Sequence, residues 1–539
     1  MIIHEAENRN NPDFFVLGLF KVPAHNETVR RSVRFRNERE RRFIRMLKRF
    51  LSVMLSLAMV FCGCLSAFAE ETALPESMPP AGMAPPEGGN GTPPEKPDGN
   101  PPGGGNGQPP AGPDGAPPEG GFGGGTPPGG GSADFEYTAA MEITSETAEK
   151  KLTDESFISE AADESALIIN TDEAVEISNA MVVKTGDSDG GDSCSFYGLN
   201  AAVLVMGGSV TTITGGSIES HANGANGVFS YGGNGGRNGA EGDGTTVVIS
   251  DTEITTTGDG SGGIMTTGGG ITYASGLTVQ TSGRSSAAIR TDRGGGTVVV
   301  DGGTYSTNGL GSPAIYSTAD VTVKNASLIS NLSEGICIEG KNSVTLENCN
   351  LAASNTKRNG NASFLDTVMI YQSMSGDADS GTSSFTMTGG TLTSLSGHMF
   401  HVTNTHAVIT LSGVQLVNEG DDVLLSVCDD GWSGAANIAE LVTDAQELSG
   451  TLLAGSNSTL TLSLLNGSSF TGCVSGEITD AEGNTVSSET GTVHVKLDET
   501  STWILTSDTY ITSFEGDPAS VTGNGYSLYV DGTILEGIR

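Results

Sequence analysis

Nine short segments between about residues 170 and 430 obey one spacing rule, and few folds can satisfy it. Aligned on Ile177, Ile213, Ile249, Ala274, Val300, Val323, Leu346, Met387 and Leu411, the residues two positions later are Asn179, Gly215, Asp251, Gly276, Gly302, Asn325, Asn348, Gly389 and Gly413. Five positions after the anchor stand Val182, Ile218, Ile254, Val279, Tyr305, Leu328, Leu351, Leu392 and Leu416. A strand alternates its faces with period two, so apolar residues five apart cannot share one face of one straight strand. A bend must lie between them, and Gly, Asn and Asp are the residues that take positive φ at least strain. Each unit therefore reads as strand, tight bend, strand.

A third apolar signal falls fifteen positions after the anchor, at Val228, Ile264, Ile289, Ile315, Ile338 and Val402; Asp192, Asn361 and Ser426 break it. Anchors follow one another at 36, 36, 25, 26, 23, 23, 41 and 24 residues. The short values suit one solenoid turn. The long ones imply insertions near 185–200, 229–244 and 354–380. No helical periodicity competes, and Thr, Ser, Val and Ile enrichment favours sheet. The predicted fold is all-β: a right-handed parallel β-helix solenoid, three short strands per turn of 23–26 residues.

That arrangement resembles the right-handed parallel β-helices of pectate lyases and many surface adhesins. The Asn/Gly/Asp column resembles the left-handed bend of that family. The late stretch WILTSDTYITSFEGDPASVTGNGYSLYVDG resembles the terminal turns of secreted β-helix proteins of anaerobic Gram-positive bacteria. The resemblance implies a secreted carbohydrate-binding or adhesin-like protein.

The rest of the chain divides by composition. Residues 46–69 carry Lys48-Arg49, an apolar run and Ala67-Phe68-Ala69, the pattern of a secretory signal peptide. The Arg-rich residues 1–45 read as a non-native upstream extension. Seventeen of 21 prolines lie between Pro75 and Pro128, so 70–133 is a Pro/Gly-rich disordered linker. Residues 134–169 are expected to form an N-terminal cap region, 170–457 the parallel β-helix and 458–539 its C-terminal turns and cap, with Trp503 covering the last rung. Secretion or non-covalent cell-wall association follows, with no transmembrane anchor after signal cleavage. Five cysteines remain beyond residue 69, an odd number with irregular spacing, which is no disulfide framework.

A formal net charge of −38 excludes nucleic acid as a partner and favours divalent cations. Calcium is the candidate cofactor. Its expected oxygen ligands are Asp187, Asp189 and Asp192 in one glycine-flanked loop, and Glu419, Asp421 and Asp422 in another. Against this acidic background Arg284, Arg290 and Arg293 cluster, with Arg237 a turn or two earlier; guanidinium groups could grip an acidic sugar in bidentate fashion. His398, His401 and His406 form a thin candidate zinc set. No lyase signature, nucleophile elbow or phosphate loop is present. Three functional readings stand: binding of extracellular polysaccharide without catalysis; adhesion to a non-glycan host or cell-surface ligand, or a structural rod; and calcium-dependent polysaccharide lyase. Outward aromatics for sugar stacking are few.

Overall fold

The computed structural model describes residues 136–235 and 241–539. The upstream extension, signal and linker read from the sequence, and Arg237, lie outside them.

The described chain winds as a right-handed parallel β-helix, and all nine units are stacked as expected. The anchors pair in one continuous column from Ile177 through Ile213 and Ile249 to Leu411. The second apolar column pairs from Val182 through Ile254 and Tyr305 to Leu416. All nine bend residues have positive φ, from 52° at Asn348 to 77° at Gly302. Two ladders thus meet at the bend and form one 22-stranded sheet, faced by a 15-stranded third sheet. The apolar columns of all three fill a continuous interior.

The third column departs from expectation in one detail. Ile315 pairs with Ile336, and Ile338 falls opposite Ser317. The slip is two residues, so the inward face is preserved. The broken positions are repaired by insertion: Val203 takes the place expected at Asp192, and Ile370 that expected at Asn361. Residues 138–170 already pair as strands, Thr138–Thr144 against Glu164–Asn170 and Ser156–Ser159 against Met181–Lys184.

After Gln415–Asn418 the second ladder stops. Asn437–Asp444 leads straight to Glu447–Ala454 on the third sheet, and Ser458–Leu465 to Ser469–Ser475, so these turns have two longer strands. Trp503 is fully buried near the end of the stack, 5.7 Å from the Phe470 ring, and its indole N–H donates to the Gly472 carbonyl at 3.1 Å.

The corner into the third sheet is built from a motif that the offsets did not reveal. Thr256, Thr281 and Thr307 each donate to the carbonyl of the residue five later, Ser261, Ser286 and Ser312. The serine hydroxyls of Ser286 and Ser312 each accept the amide of the serine one rung earlier at 2.9 Å. Between them Gly258, Gly283 and Gly309 stack so closely that a Cβ on any of them would stand 1.8–1.9 Å from a carbonyl oxygen of the preceding rung.

Candidate functional site

One outward column on the third sheet changes character along the axis. Ile168, Leu204, Phe229, Met265, Arg290, Tyr316, Cys337, Met369, His401, Ser426 and Leu453 are paired in register. The first four form a small apolar cluster of their own. The insertion at 185–200 lies over this end: its helix Asp192–Tyr197 sets Tyr197 edge-on to Tyr231 at 5.8 Å. At the other end Phe364, Cys428, Leu453 and Ile478 form a second outer cluster, made by the 354–380 insertion and the antiparallel hairpin 477–488. Between these covers lies a polar window.

The window is dense in ionisable groups. Arg290 Nη2 reaches Asp292 Oδ2 at 2.9 Å and Ser195 Oγ at 3.2 Å. Arg293 Nε donates to Asp377 Oδ1 at 3.1 Å, with its guanidinium 4.2 Å above the Phe196 ring. Glu339, 2% exposed, accepts hydroxyls from Tyr316 and Tyr371 on one oxygen and from Ser373 and Ser375 on the other. Tyr371 packs against Trp432 at 4.8 Å. Burial pushes Asp292 up to about 7 against the pull of Arg290, helped by Asp377 and Glu339. Burial also raises Glu339, Glu334 and Asp366.

These shifts fix the sign of a pH effect. Unfolded carboxyls lose their protons near 4, whereas these folded ones hold theirs to higher pH. The unfolded chain therefore binds fewer protons in that window, and stability falls as pH rises. In metal-free buffer we expect the melting temperature to decline from pH 4.5 to 7.5, with Asp292 alone contributing up to about 4 kcal/mol. A thermal-melt series across that range measures it; a rising curve contradicts the buried-acid assignment.

Next to the window runs a hydrogen-bond relay. Ser426 Oγ lies 2.7 Å from Nδ1 of both His398 and His401, and His401 Nε2 lies 3.2 Å from Asp430 Oδ2. One hydroxyl has one hydrogen. With His401 donating from Nε2 to Asp430, its Nδ1 accepts from Ser426, and His398 must donate from Nδ1 to Ser426. Burial, with His401 beside it, holds His398 down to about 3, so it is neutral. Hydroxyl, imidazole and carboxylate in line also describe a hydrolase nucleophile, but Ser426 and His401 are 0% exposed and no substrate reaches them. The relay instead pins a loop. Asp430 Oδ1 accepts the Ser363 amide at 2.7 Å and the Gly431 amide at 2.6 Å, tying the 354–380 insertion to the turn that carries Trp432.

Of the residues singled out in the sequence, Arg290 and Arg293 come together in the window, each engaged by a carboxylate. Arg284 is exposed at the corner, its amide bonded to Asp259 Oδ1 at 2.8 Å. Asp187 belongs to the same corner, accepting the Asn223 amide at 2.8 Å, while Asp189 and Asp192 are exposed. Glu419, Asp421 and Asp422 lie on the turn into Val423–Val427, where Asp421 Oδ2 is 3.4 Å from His398 Nε2. The histidines divide: His406 sits on the first ladder against Glu440 at 2.8 Å, away from the relay. Among the described residues no group of three or more His, Cys, Asp or Glu is placed to hold a metal, and His398, His401 and His406 are not brought together as one set. Glu339 was not among the residues the sequence pointed to; it lies two places beyond Cys337 on the outward face of the same strand, and Asp377 and Trp432 join it from segments outside the strands.

Against known proteins, the chain matches no family model, no curated protein and no solved structure. Its architecture is that of a β-solenoid whose third sheet carries a surface suited to a ligand, and among the described residues no helix is long and apolar enough to cross a membrane.

Proposed function

We propose that the protein is a secreted or cell-surface solenoid that binds an extracellular polysaccharide along the outer face of its third sheet, without cleaving it. One observation carries this reading: the chain's scarce aromatics gather there. Tyr137, Tyr197, Tyr231, Tyr316, Tyr371 and Trp432 are half of its ten tyrosines and two tryptophans. Aromatic faces beside carboxylates and hydroxyls stack on sugar rings and bond their hydroxyls. From the Tyr231 strand to the Tyr371 strand is five rung steps of about 4.8 Å, roughly 24 Å, the reach of several sugar units. Arg290 and Arg293 are already engaged by Asp292 and Asp377, so neither guanidinium is free to grip an acidic sugar, which favours a neutral glycan unless calcium bridges.

A pull-down on a panel of polysaccharides, with and without calcium, tests the reading, with bound polymer then sized. Retention with unchanged polymer length, weakened at least about tenfold (about 1.4 kcal/mol) in Trp432→Ala, is the expected result. Shortened polymer would make the protein a lyase or hydrolase. Absence of retention on every glycan would point to an adhesin for a protein ligand, or a passive rod.

A further inference from the structure

Buried polar atoms without a partner collect where the 354–380 insertion rejoins the third sheet. Asp366 is 1% exposed and neither carboxyl oxygen has a hydrogen-bond partner; Asn355 Oδ1, whose own amide reaches the Asp366 carbonyl, is likewise unpartnered. Glu334, 6% exposed, is on the neighbouring rung: Ile336 pairs with Val368, and the same register carried back two residues sets Glu334 beside Asp366. Asn355 reaches the pair, donating from Nδ2 to the Asp366 carbonyl at 3.3 Å, and its amide favours the charged form of Glu334. Ser333 gives Glu334 one hydroxyl. The charges acting on Asp366 are Glu334 and Asp430, both negative.

A buried carboxylate persists only if it is neutralised and its oxygens are bonded. A proton shared by Glu334 and Asp366 would satisfy one or two oxygens and leave the others orphaned. A cation satisfies them together. We propose that Glu334, Asp366 and the Asn355 side-chain oxygen hold a divalent cation that prefers oxygen ligands, calcium above magnesium, because the set is irregular and calcium tolerates irregular coordination. This site is separate from the loops at 187–192 and 419–422 and does not depend on the glycan reading. Its structural effect would be to fasten the insertion that carries Ser363, hence the Asp430 turn.

The test is a melting curve of the full exported chain at pH 7.5, stripped with chelator and titrated with calcium or magnesium. Calcium should raise the melting temperature by several degrees, magnesium less. Asp366→Asn should weaken the calcium response at least tenfold in concentration. Asn355→Asp, which adds a carboxylate, should strengthen it while lowering the metal-free melting temperature. Joint Asn substitutions at Asp187 and Asp189, or at Asp421 and Asp422, should leave it intact. Two results would overturn the proposal: loss of the response in either loop variant but not in Asp366→Asn, or no calcium response in a wild type that melts below Asp366→Asn, which would assign the pair a proton instead.

Discussion

Ile254→Asp is expected to unfold the turns on both sides of the substitution. Ile254 is fully buried and stacked between Ile218 and Val279. An unpaired carboxylate there has no donor, and loss above about 4 kcal/mol is the usual outcome of such a change. A solenoid rung is held mainly by its neighbours, so the defect spreads along the axis. Hydrogen exchange should show protection lost first in the strands from Val210–Thr214 to Gly270–Thr281, before the ends of the stack. The damage should be milder at pH 4.5 than at pH 8, because the buried carboxyl can take a proton. Ile254→Val, by contrast, should lose only about 1 kcal/mol. Wild-type melting of the Asp variant would disprove the inward column.

Gly283→Ala should be nearly as damaging, for a different reason. Its new methyl group would stand 1.8 Å from the Gly258 carbonyl oxygen, 2.3 Å from the Gly258 carbonyl carbon and 2.9 Å from the Asp259 nitrogen, all backbone that cannot turn aside. We expect a loss of about 3–5 kcal/mol. Gly302→Ala is the contrast. Gly302 has φ of 77°, but a Cβ there finds its nearest neighbour at 3.9 Å, so only the left-handed conformation is penalised, by about 1–2 kcal/mol. Asn at the same position should lose less than Ala, since Asn325 and Asn348 occupy that column with φ of 54° and 52°. Urea denaturation of the three variants ranks them directly; equal effects at Gly283 and Gly302 would show that close approach does not govern the corner.

The interior was legible because it repeats. An inward residue must meet its counterpart on the next rung, so composition and spacing recur together, and Ile213, Ile249 and Ala274 fall in register as their offsets require. Where the signal was weaker the reading slipped: ICIE carries isoleucine at two alternate positions, so spacing could not tell Ile336 from Ile338 as the partner of Ile315. The Thr–Gly–Ser corner was also visible in principle, as Thr256–Gly258–Ser261 and its two successors, but small polar residues in a Gly-rich chain resemble loop composition. The window was not legible. Ser195, Arg293, Glu339, Asp377 and Trp432 are far apart in sequence and come from strands, insertions and turns alike. Their outward positions obey no packing rule, so Glu339 looked like any other acid in an acidic protein. The arginines drew notice only through their rarity.

The window's outward column also behaves as a ruler. Every rung advances the surface by the same increment of about 4.8 Å, and the apolar interior is indifferent to what is written outside. Adding one complete turn between the strands of Tyr316 and Glu339 would leave all interior ladders intact while moving the phenol a full increment from the carboxylate it serves. Adding one between Glu339 and Tyr371, which now face each other on neighbouring rungs, would part that pair by the same step. Spacing between recognition groups can therefore change only in whole graduations, without new core chemistry. A family built on this plan would match polymers of different repeat length by counting turns rather than by reshaping a pocket.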